Sequence, residues 1–476
     1  MNRFAKTSHE SRHQVSRTDR KLTASHAIVI GGSVAGLCAA AALAKNFGKV
    51  TVLERDALPG PVPRRGVPQS HHTHALLGRG QEIMEQLFPG AFEALLEDGA
   101  SVSDFGKDFR WYHHGSWRVR GRLGIDSWMV SRPLLESHLR DSLTARGNVV
   151  LRHECPVDAP IHDEAGGRVK GVRLRDGSVL EADLVVDALG RGSKSPKWLA
   201  EWGYGEVEEH RVEIGMTYVS GLFDVADAGY PDDGLMLYPQ APDNHRGGIA
   251  LRVEGGRMMV TLFGYHGDRA PMDHAGFVEW SKTLPELQLH RLLARSRLIG
   301  ELRQHTMPYQ QRRGYAGMRM PAGYVVMGDA LCSFDPSFGQ GMTTAAMQAE
   351  LLVQLRPGQR TARMQRRIAR VTDVPWLLTS TDASCWPENH DEVSTGATVL
   401  QRYLKRVFEL ASHDLEVYRT LSEVMHFMNP VSHLFRPRVL WGVLFGQRNS
   451  GRRQMRSGPS ELAVAPELSG VRRTGY

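Results

Sequence analysis

Cysteine is scarce in this chain: four in 476 residues, Cys38, Cys155, Cys332 and Cys385, with no CxxC pair among them. So few thiols, so far apart, exclude a disulfide framework and a zinc ribbon, and they fit a reduced, cytoplasmic setting. Long apolar runs are also missing. The most notable, Val439 to Gly446, falls far short of the roughly 20 residues a membrane-spanning helix needs, so it reads as helix packing or as an amphipathic contact. The first 25 residues lack the apolar core of a secretory signal, and none is expected there. No internal repeat or low-complexity segment interrupts the body. With 41% hydrophobic and 23% charged residues, a disordered or collagen-like chain is excluded. What remains is a mild excess of glycine, 49 residues, and enough length for roughly three domain-sized units.

Positive charge is in slight excess: 59 Lys and Arg against 52 Asp and Glu give a formal +7, which brings nucleic acid or an anionic membrane into view as partners. The position of that charge weakens the idea. Residues 1–25 and 447–476 each carry six basic and two acidic side chains, +4 apiece, which leaves −1 for the body. Both ends read as flexible basic tails. The body has no nucleic-acid recognition motif, so contact with a polyanion is expected at most through the tails, on a membrane periphery or a carrier protein.

The body opens with a strand pattern, Ala27-Ile28-Val29-Ile30, that runs into Gly31-Gly32-Ser33-Val34-Ala35-Gly36, an alanine-rich helix and a second strand, Val50-Thr51-Val52-Leu53, closed by Glu54. This is a βαβ unit. Glycines at such a turn let the chain bend tightly, let the backbone approach a pyrophosphate, and let the helix pack closely on the strand. The free N–H groups and dipole of the helix N-terminus then favour phosphate. Gly31 and Gly36 occupy the first and third glycine positions, and Ser33 stands at the second. Glu54 lies 23 positions beyond Gly31, where an acid accepts hydrogen bonds from a ribose hydroxyl. Because that acid repels a 2′-phosphate, the loop suits FAD or NAD better than NADP.

Further strands are expected at Val149–Arg152, at Val169–Leu174 and Val179–Leu184 around an Asp176-Gly177 turn, and, as short buried parallel strands, at Leu184–Asp187 and Tyr324–Met327. The middle, roughly Arg211 to His266, alternates like a separate antiparallel layer. Beyond Gln340 the pattern turns helical, through Ala345–Leu355 and Leu400–Met428.

Near the far end stand Gly328-Asp329, Asp335-Pro336 and Gly339-Gln340-Gly341-Met342, the last opening a helix. Earlier come Arg65-Gly66-Val67-Pro68-Gln69 with His71 and His74, Ser131-Arg132-Pro133-Leu134-Leu135, and the stretch from Asp183 to Ser193. With these motifs, residues 26–360 resemble the single-domain flavoprotein monooxygenases of the para-hydroxybenzoate hydroxylase fold, nearest to the bacterial branch of polyether epoxidases and, more distantly, squalene epoxidase.

The resemblance implies an α/β fold: an FAD-binding Rossmann-like domain of glutathione reductase type, with an inserted antiparallel β-sheet substrate domain and a C-terminal helical region. The boundaries expected are 26–110 with 129–200 and 305–365 for FAD, 111–128 with 201–304 for substrate, and 366–446 for the helices. It implies that Gly31, Gly32, Ser33, Gly36, Glu54, Arg55, Arg65, Arg132, Gly328, Asp329, Gly341 and Met342 bind FAD. Arg132 would lie against phosphate or ribose, Asp329 on the ribityl chain, and Gly341 with Met342 near the flavin's pyrimidine end. It implies transfer of one oxygen atom from O2, through a flavin C4a-hydroperoxide, to an apolar small molecule of secondary metabolism, with epoxidation slightly favoured over aromatic hydroxylation. Epoxidation needs no side-chain base, whereas phenol hydroxylation is helped by one, and no catalytic side chain is assigned. Gly190-Arg191-Gly192-Ser193 departs from the hydroxylases' Asp-Gly motif, so NAD(P)H as electron donor acts either directly or through a separate flavin reductase.

Several residues keep two readings. Arg64 and Arg65 face phosphate or solvent. His71, His72 and His74 form a hydrogen-bonding turn near the flavin or are structural; no further ligand set makes a metal site. Asp335-Pro336 shapes the flavin loop or ends a strand. Trp111, Tyr112, Trp117 and Trp128 line an apolar pocket or belong to the core. A flavin halogenase would show a WxWxIP motif, and none of the nine tryptophans has that spacing. A prenyl-chain reductase shares the cofactor motifs and stays open beside a non-enzymatic binding role.

Overall fold

A computed structural model of the chain describes residues 25–64, 66–392 and 395–446. The expectations for the tails (all but Ser25) and for Arg65 fall outside the described residues. At the centre is a five-stranded sheet in the order Tyr324–Val326, Leu184–Asp187, His26–Ile30, Lys49–Leu53, Val149–Arg152. Every neighbouring pair is parallel. The inner strands are covered on both faces, which is why they read as unbroken apolar runs rather than as alternation. The helix Val34–Leu43 is buried at every residue except Ala35. Its row of alanines lets it lie between the sheet and a second helix, Gly341–Leu352.

The strand Tyr324–Val326 is an edge, and an edge leaves backbone groups without partners. Here a side chain takes the place of the missing strand. Gln365, fully buried on the helix Thr361–Arg370, accepts from the Val326 N–H at 2.8 Å and donates to the Val326 carbonyl at 2.9 Å. Gln348, on the helix Gly341–Leu352, likewise accepts from the Gly328 N–H at 2.7 Å.

The expected hairpin forms between Arg168–Leu174 and Val179–Glu181, with Gly177 at φ +86° in its turn. It stops at Glu181, and the chain passes into the parallel sheet at Leu184. The middle layer is an eight-stranded sheet, antiparallel except where Phe109–His113 runs parallel to Gly234–Leu237. Its longest pair, Glu209–Asp224 with Arg297–Arg313, includes a strand that the sequence pattern does not signal, because polar residues, Gly300 and Pro308 break up any apolar alternation along Arg297–Arg313. The helical stretch after Leu400 is two helices, Thr395–Leu410 and Leu415–Met425. They part where the Asp414 carboxylate accepts from the N–H groups of Glu416 and Val417 at 2.9 and 3.1 Å. Among the described residues no helix is long and apolar enough to cross a membrane.

Gln365→Leu removes both partners of Val326 in a buried setting and is expected to cost about 2–4 kcal/mol. Denaturant unfolding checks this, and wild-type stability would mean that the edge strand does not depend on the amide.

Candidate cofactor and substrate site

The glycine loop leaves the strand His26–Ile30 at its carboxyl end, where ligands gather in open α/β sheets. Gly31 has φ +109°, and a Cβ there would come within 2.5 Å of the Ala188 carbonyl oxygen. A Cβ on Gly36 would meet the Gly31 carbonyl oxygen at 1.8 Å. These two positions therefore require glycine. Ser33 does not, since it sits in extended backbone at φ −96°, ψ −176°.

Ser33 stands at the N-cap of the helix, yet its hydroxyl makes no capping bond. It donates to Glu136 Oε1 at 2.7 Å and accepts from Arg132 at 2.9 Å. Arg132 and Glu136 are four residues apart on the helix Arg132–Thr144 and pair directly at 2.9 Å. The other Glu136 oxygen takes Arg64 at 2.6 Å, and Arg64 lies 3.1 Å from Glu54. Burial pushes the Glu136 carboxyl up, but Arg132 and Arg64 pull it further the other way, to about 2. Glu54 holds the loop from below, accepting from the Gly32 and Asp56 N–H groups at 2.9 and 3.0 Å.

The second helix opens beside the first. Gly328, at φ +63°, lies so close to Ala35 that their Cβ atoms would be 2.8 Å apart, and a Cβ on Gly341 would be 3.8 Å from Asp329 Oδ1. Among the described residues no group donates a hydrogen bond to the Asp329 carboxylate. Burial raises its pKa, and Arg132 and Arg191 oppose that rise. In the first turn of this helix and at its cap, Gln340 Oε1 and Thr344 Oγ1 are buried without partners. Bare backbone at two helix N-termini, a facing guanidinium, an unbonded carboxylate and orphaned polar atoms fit a flavin dinucleotide. Arg191 is projected by a turn that Asp187 ties down, through bonds from Ser193, Ser195 and the Leu189 N–H. Its guanidinium lies 4.3 Å from the Tyr309 ring centre.

The antiparallel sheet meets this junction through a histidine-bearing turn that follows Pro68–His71. Arg132 donates to His74 Nε2 at 2.9 Å, and His74 Nδ1 donates to the His72 carbonyl at 2.9 Å. His72 bonds Ser220 at 2.7 Å and packs edge-on against Tyr218 with ring centres 4.4 Å apart. Burial holds His72 and His74 neutral, each down to about 3. A small pocket lined by Ser70, His72, His74, Val130, Arg132 and Leu251 opens there. Alongside, Asp335 accepts from the Ser337 N–H and hydroxyl and from Tyr265 at 2.7–2.8 Å, while Tyr238 donates to the Ser337 carbonyl at 2.6 Å. Asp382, on the helix Asp373–Ala383, faces this group with no hydrogen-bond donor among the described residues. Burial, then the neighbouring Asp335, pushes it up to about 7.

The structure thus gathers Gly31, Gly32, Ser33, Gly36, Glu54, Arg132, Gly328, Asp329 and Gly341, with Met342 buried in the first turn of the second helix. Arg55 is set apart, exposed and 3.9 Å from Asp56. Arg64 corrects its solvent-facing reading, since it is buried between Glu54 and Glu136. The four aromatics do not form one pocket. Trp111 joins Phe408 and Tyr418, Trp128 joins Phe92, and Tyr112 meets Trp117, because alternate residues of a strand point to opposite faces. Among the described residues no histidine, cysteine and carboxylate group could hold a metal. Glu136 escaped the sequence reading although its four-residue spacing from Arg132 was a usable signal. Asp382 had none.

Fold and site together define a flavoprotein oxidoreductase. A profile of FAD dependent oxidoreductases matches residues 27–307, more than half of the chain, and the chain belongs to that family; FAD is its cofactor. Protein Rv3254 of Mycobacterium tuberculosis is 34% identical over 376 residues, 74% of this chain and 79% of that protein. The 6-methylpretetramide 4-monooxygenase of Streptomyces rimosus is 30% identical over 189 residues, 38% and 41% of the two chains. Among solved structures, the flavin-dependent brominase Bmp2 matches with TM-score 0.61 at 16% identity over 84% of this chain and 94% of its own. A 2-methyl-3-hydroxypyridine-5-carboxylic acid oxygenase matches with TM-score 0.55 at 19% identity, over 76% and 90%. The fold is that of FAD-dependent monooxygenases.

Ser33→Gly is expected to keep FAD affinity within a few-fold, because the loop does not need the hydroxyl to bend. Gly36→Ala, whose Cβ would sit 1.8 Å from a carbonyl oxygen, is expected to abolish flavin retention. Flavin fluorescence titration reads both, and flavin binding by the alanine variant would refute the close-approach argument.

His72, His113 and His426 are buried, and burial lowers their pKa values, to about 3 for His72 and about 4 for His426. The unfolded chain titrates near 6.5, so below that pH it binds more protons than the folded chain and stability falls as pH falls. Each histidine contributes about 1.4 kcal/mol per pH unit to that slope. Denaturation midpoints from neutral pH downwards test it, and His72→Gln should flatten the slope.

Proposed function

We propose that this enzyme is a monooxygenase that transfers one oxygen atom from O2 to an apolar small molecule of secondary metabolism. FAD, when bound, supplies the activation of O2; this chain supplies placement, exclusion of water and control of protons. The observation that carries the reading is the junction itself. Two helix N-termini meet at Arg132 and Asp329, and the face opposite them is a histidine- and tyrosine-bearing sheet rather than a second dinucleotide loop. Arg132 would meet the phosphates or ribose, Glu54 the adenosine ribose and Asp329 the ribityl chain. The loop from Asp335 to Gln340, anchored by Tyr238 and Tyr265, would border the ring. Electrons would come from NAD(P)H, directly or through a separate flavin reductase. Stopped-flow reduction with each nucleotide, with and without candidate substrate, distinguishes the routes.

The motifs shared with the polyether epoxidases favour epoxidation, which needs no base. The Asp335–Asp382 pair favours hydroxylation of a phenolic ring. Burial raises Asp335 while its three donors oppose that rise, and Asp382, pushed up to about 7, is the group able to take a phenolic proton near neutral pH. We take hydroxylation as the better supported outcome. The product formed under isotopically labelled O2 should carry the label; product without it would favour reduction of a prenyl chain instead. For a phenolic substrate, kcat is expected to rise with pH and level off above about 7 as Asp382 loses its proton. Asp382→Asn should lower kcat roughly a hundredfold or more and flatten that profile. An unaltered profile in the variant would return the assignment to epoxidation.

A further inference from the structure

The helix Pro437–Phe445 rests on the body through Val439, which is 2% exposed, and through Gly442, whose Cβ would touch Leu410 at 2.9 Å. Its other side is apolar and, among the described residues, exposed. Trp441 and Leu444 are each 68% exposed and Phe445 64%, the highest values among the large hydrophobic residues described. Their spacing of three and four places them in one stripe, and the Trp441 and Phe445 rings lie 4.5 Å apart. A soluble chain seldom presents such a stripe without a partner.

The surrounding sequence says which partner fits. From Val424 to Ser460 there are six arginines, Arg436, Arg438, Arg448, Arg452, Arg453 and Arg456, and no aspartate or glutamate. Arg436 and Arg438 flank the start of the helix and are exposed. Arg438 lies 3.1 Å from Asp414, which offsets part of its charge. A second copy seated on this stripe would bring two such arginine-rich segments together, and neither holds an acid to offset the other. An anionic bilayer offsets both. Its interface also accepts an indole ring beside aliphatic and phenyl side chains, and a nine-residue helix is far too short to span it.

We propose that the stripe of Trp441, Leu444 and Phe445 is a docking face for an anionic lipid surface, with the flanking arginines meeting lipid phosphates. The proposal is independent of the reaction assigned to the flavin site.

The test uses the FAD-loaded full chain and vesicles of phosphatidylcholine, alone or mixed with phosphatidylglycerol. Flotation is expected to carry the protein with the mixed vesicles at low salt, with weaker binding to pure phosphatidylcholine and at high salt. The double variant Trp441→Ser, Phe445→Ser should lose about tenfold or more in binding while keeping the flavin spectrum and thermal midpoint of the parent. Should that variant fold poorly, brominated lipid gives a second measurement. Quenching of wild-type tryptophan fluorescence that disappears in Trp441→Phe supports the face, and quenching equal in both overturns it. The proposal also falls if the wild type ignores anionic vesicles, if the double variant binds as tightly as the parent, or if light scattering shows a dimer that the double substitution converts to monomer without any vesicle binding.

Discussion

A carboxylate held between two guanidiniums organises the cofactor end of this protein. Glu136 is almost fully buried, and an isolated charge there would be prohibitive. It persists because Arg132, Arg64 and the Ser33 hydroxyl all point at it within 2.9 Å. The consequence is mechanical as well as electrostatic. The glycine loop, the helix that starts at Arg132 and, through Arg64, the acid that closes the second strand are tied to one point. Such a network is weak evidence of net stability, since replacing a buried ion pair by apolar groups is often neutral. Its value here is geometric, because Arg132 stays aimed at the loop while also donating to His74 of the facing turn.

The rest of the site follows from where parallel strands end. The strands His26–Ile30, Leu184–Asp187 and Tyr324–Val326 release, at one edge of the sheet, the glycine loop, the Arg191 turn and Gly328-Asp329. The last two of these strand ends are pinned by side chains standing in for missing backbone: Asp187 for the turn after Leu184–Asp187, and Gln365 and Gln348 at Val326 and Gly328. Two helices can therefore begin side by side, and the N–H groups of their first turns favour a bound anion. Across from them, neutral histidines and tyrosine hydroxyls line the sheet, a polar but largely uncharged surface suited to holding a ring system close to a flavin.

Much of this is legible in the sequence. The βαβ unit, the glycines at 31 and 36, Glu54, the Asp176-Gly177 turn and the late Gly-Asp motif are local signals. Each records a constraint that acts within a few residues, such as a positive φ, a close backbone approach or an unbroken buried strand. Arg64 was ambiguous because its partners, Glu54 and Glu136, come from elements 10 and 72 residues away. Trp111 and Tyr112, neighbours in the chain, were read as one cluster until the sheet sent them to opposite faces. The strand Arg297–Arg313 is silent because polar residues, Gly300 and Pro308 interrupt the apolar alternation that marks a strand.

The sequence by itself determined the class of fold, the kind of cofactor and the glycines that the cofactor's approach demands, since these depend on backbone conformation and short-range packing. Only the tertiary structure decided which charges are paired, that among the described residues the Asp329 carboxylate takes no hydrogen bond, that Asp382 is pushed up to about 7, and that one side of the helix Pro437–Phe445 is exposed among them. Burial and electrostatics are properties of what surrounds a group, and what surrounds these groups arrives from distant parts of the chain.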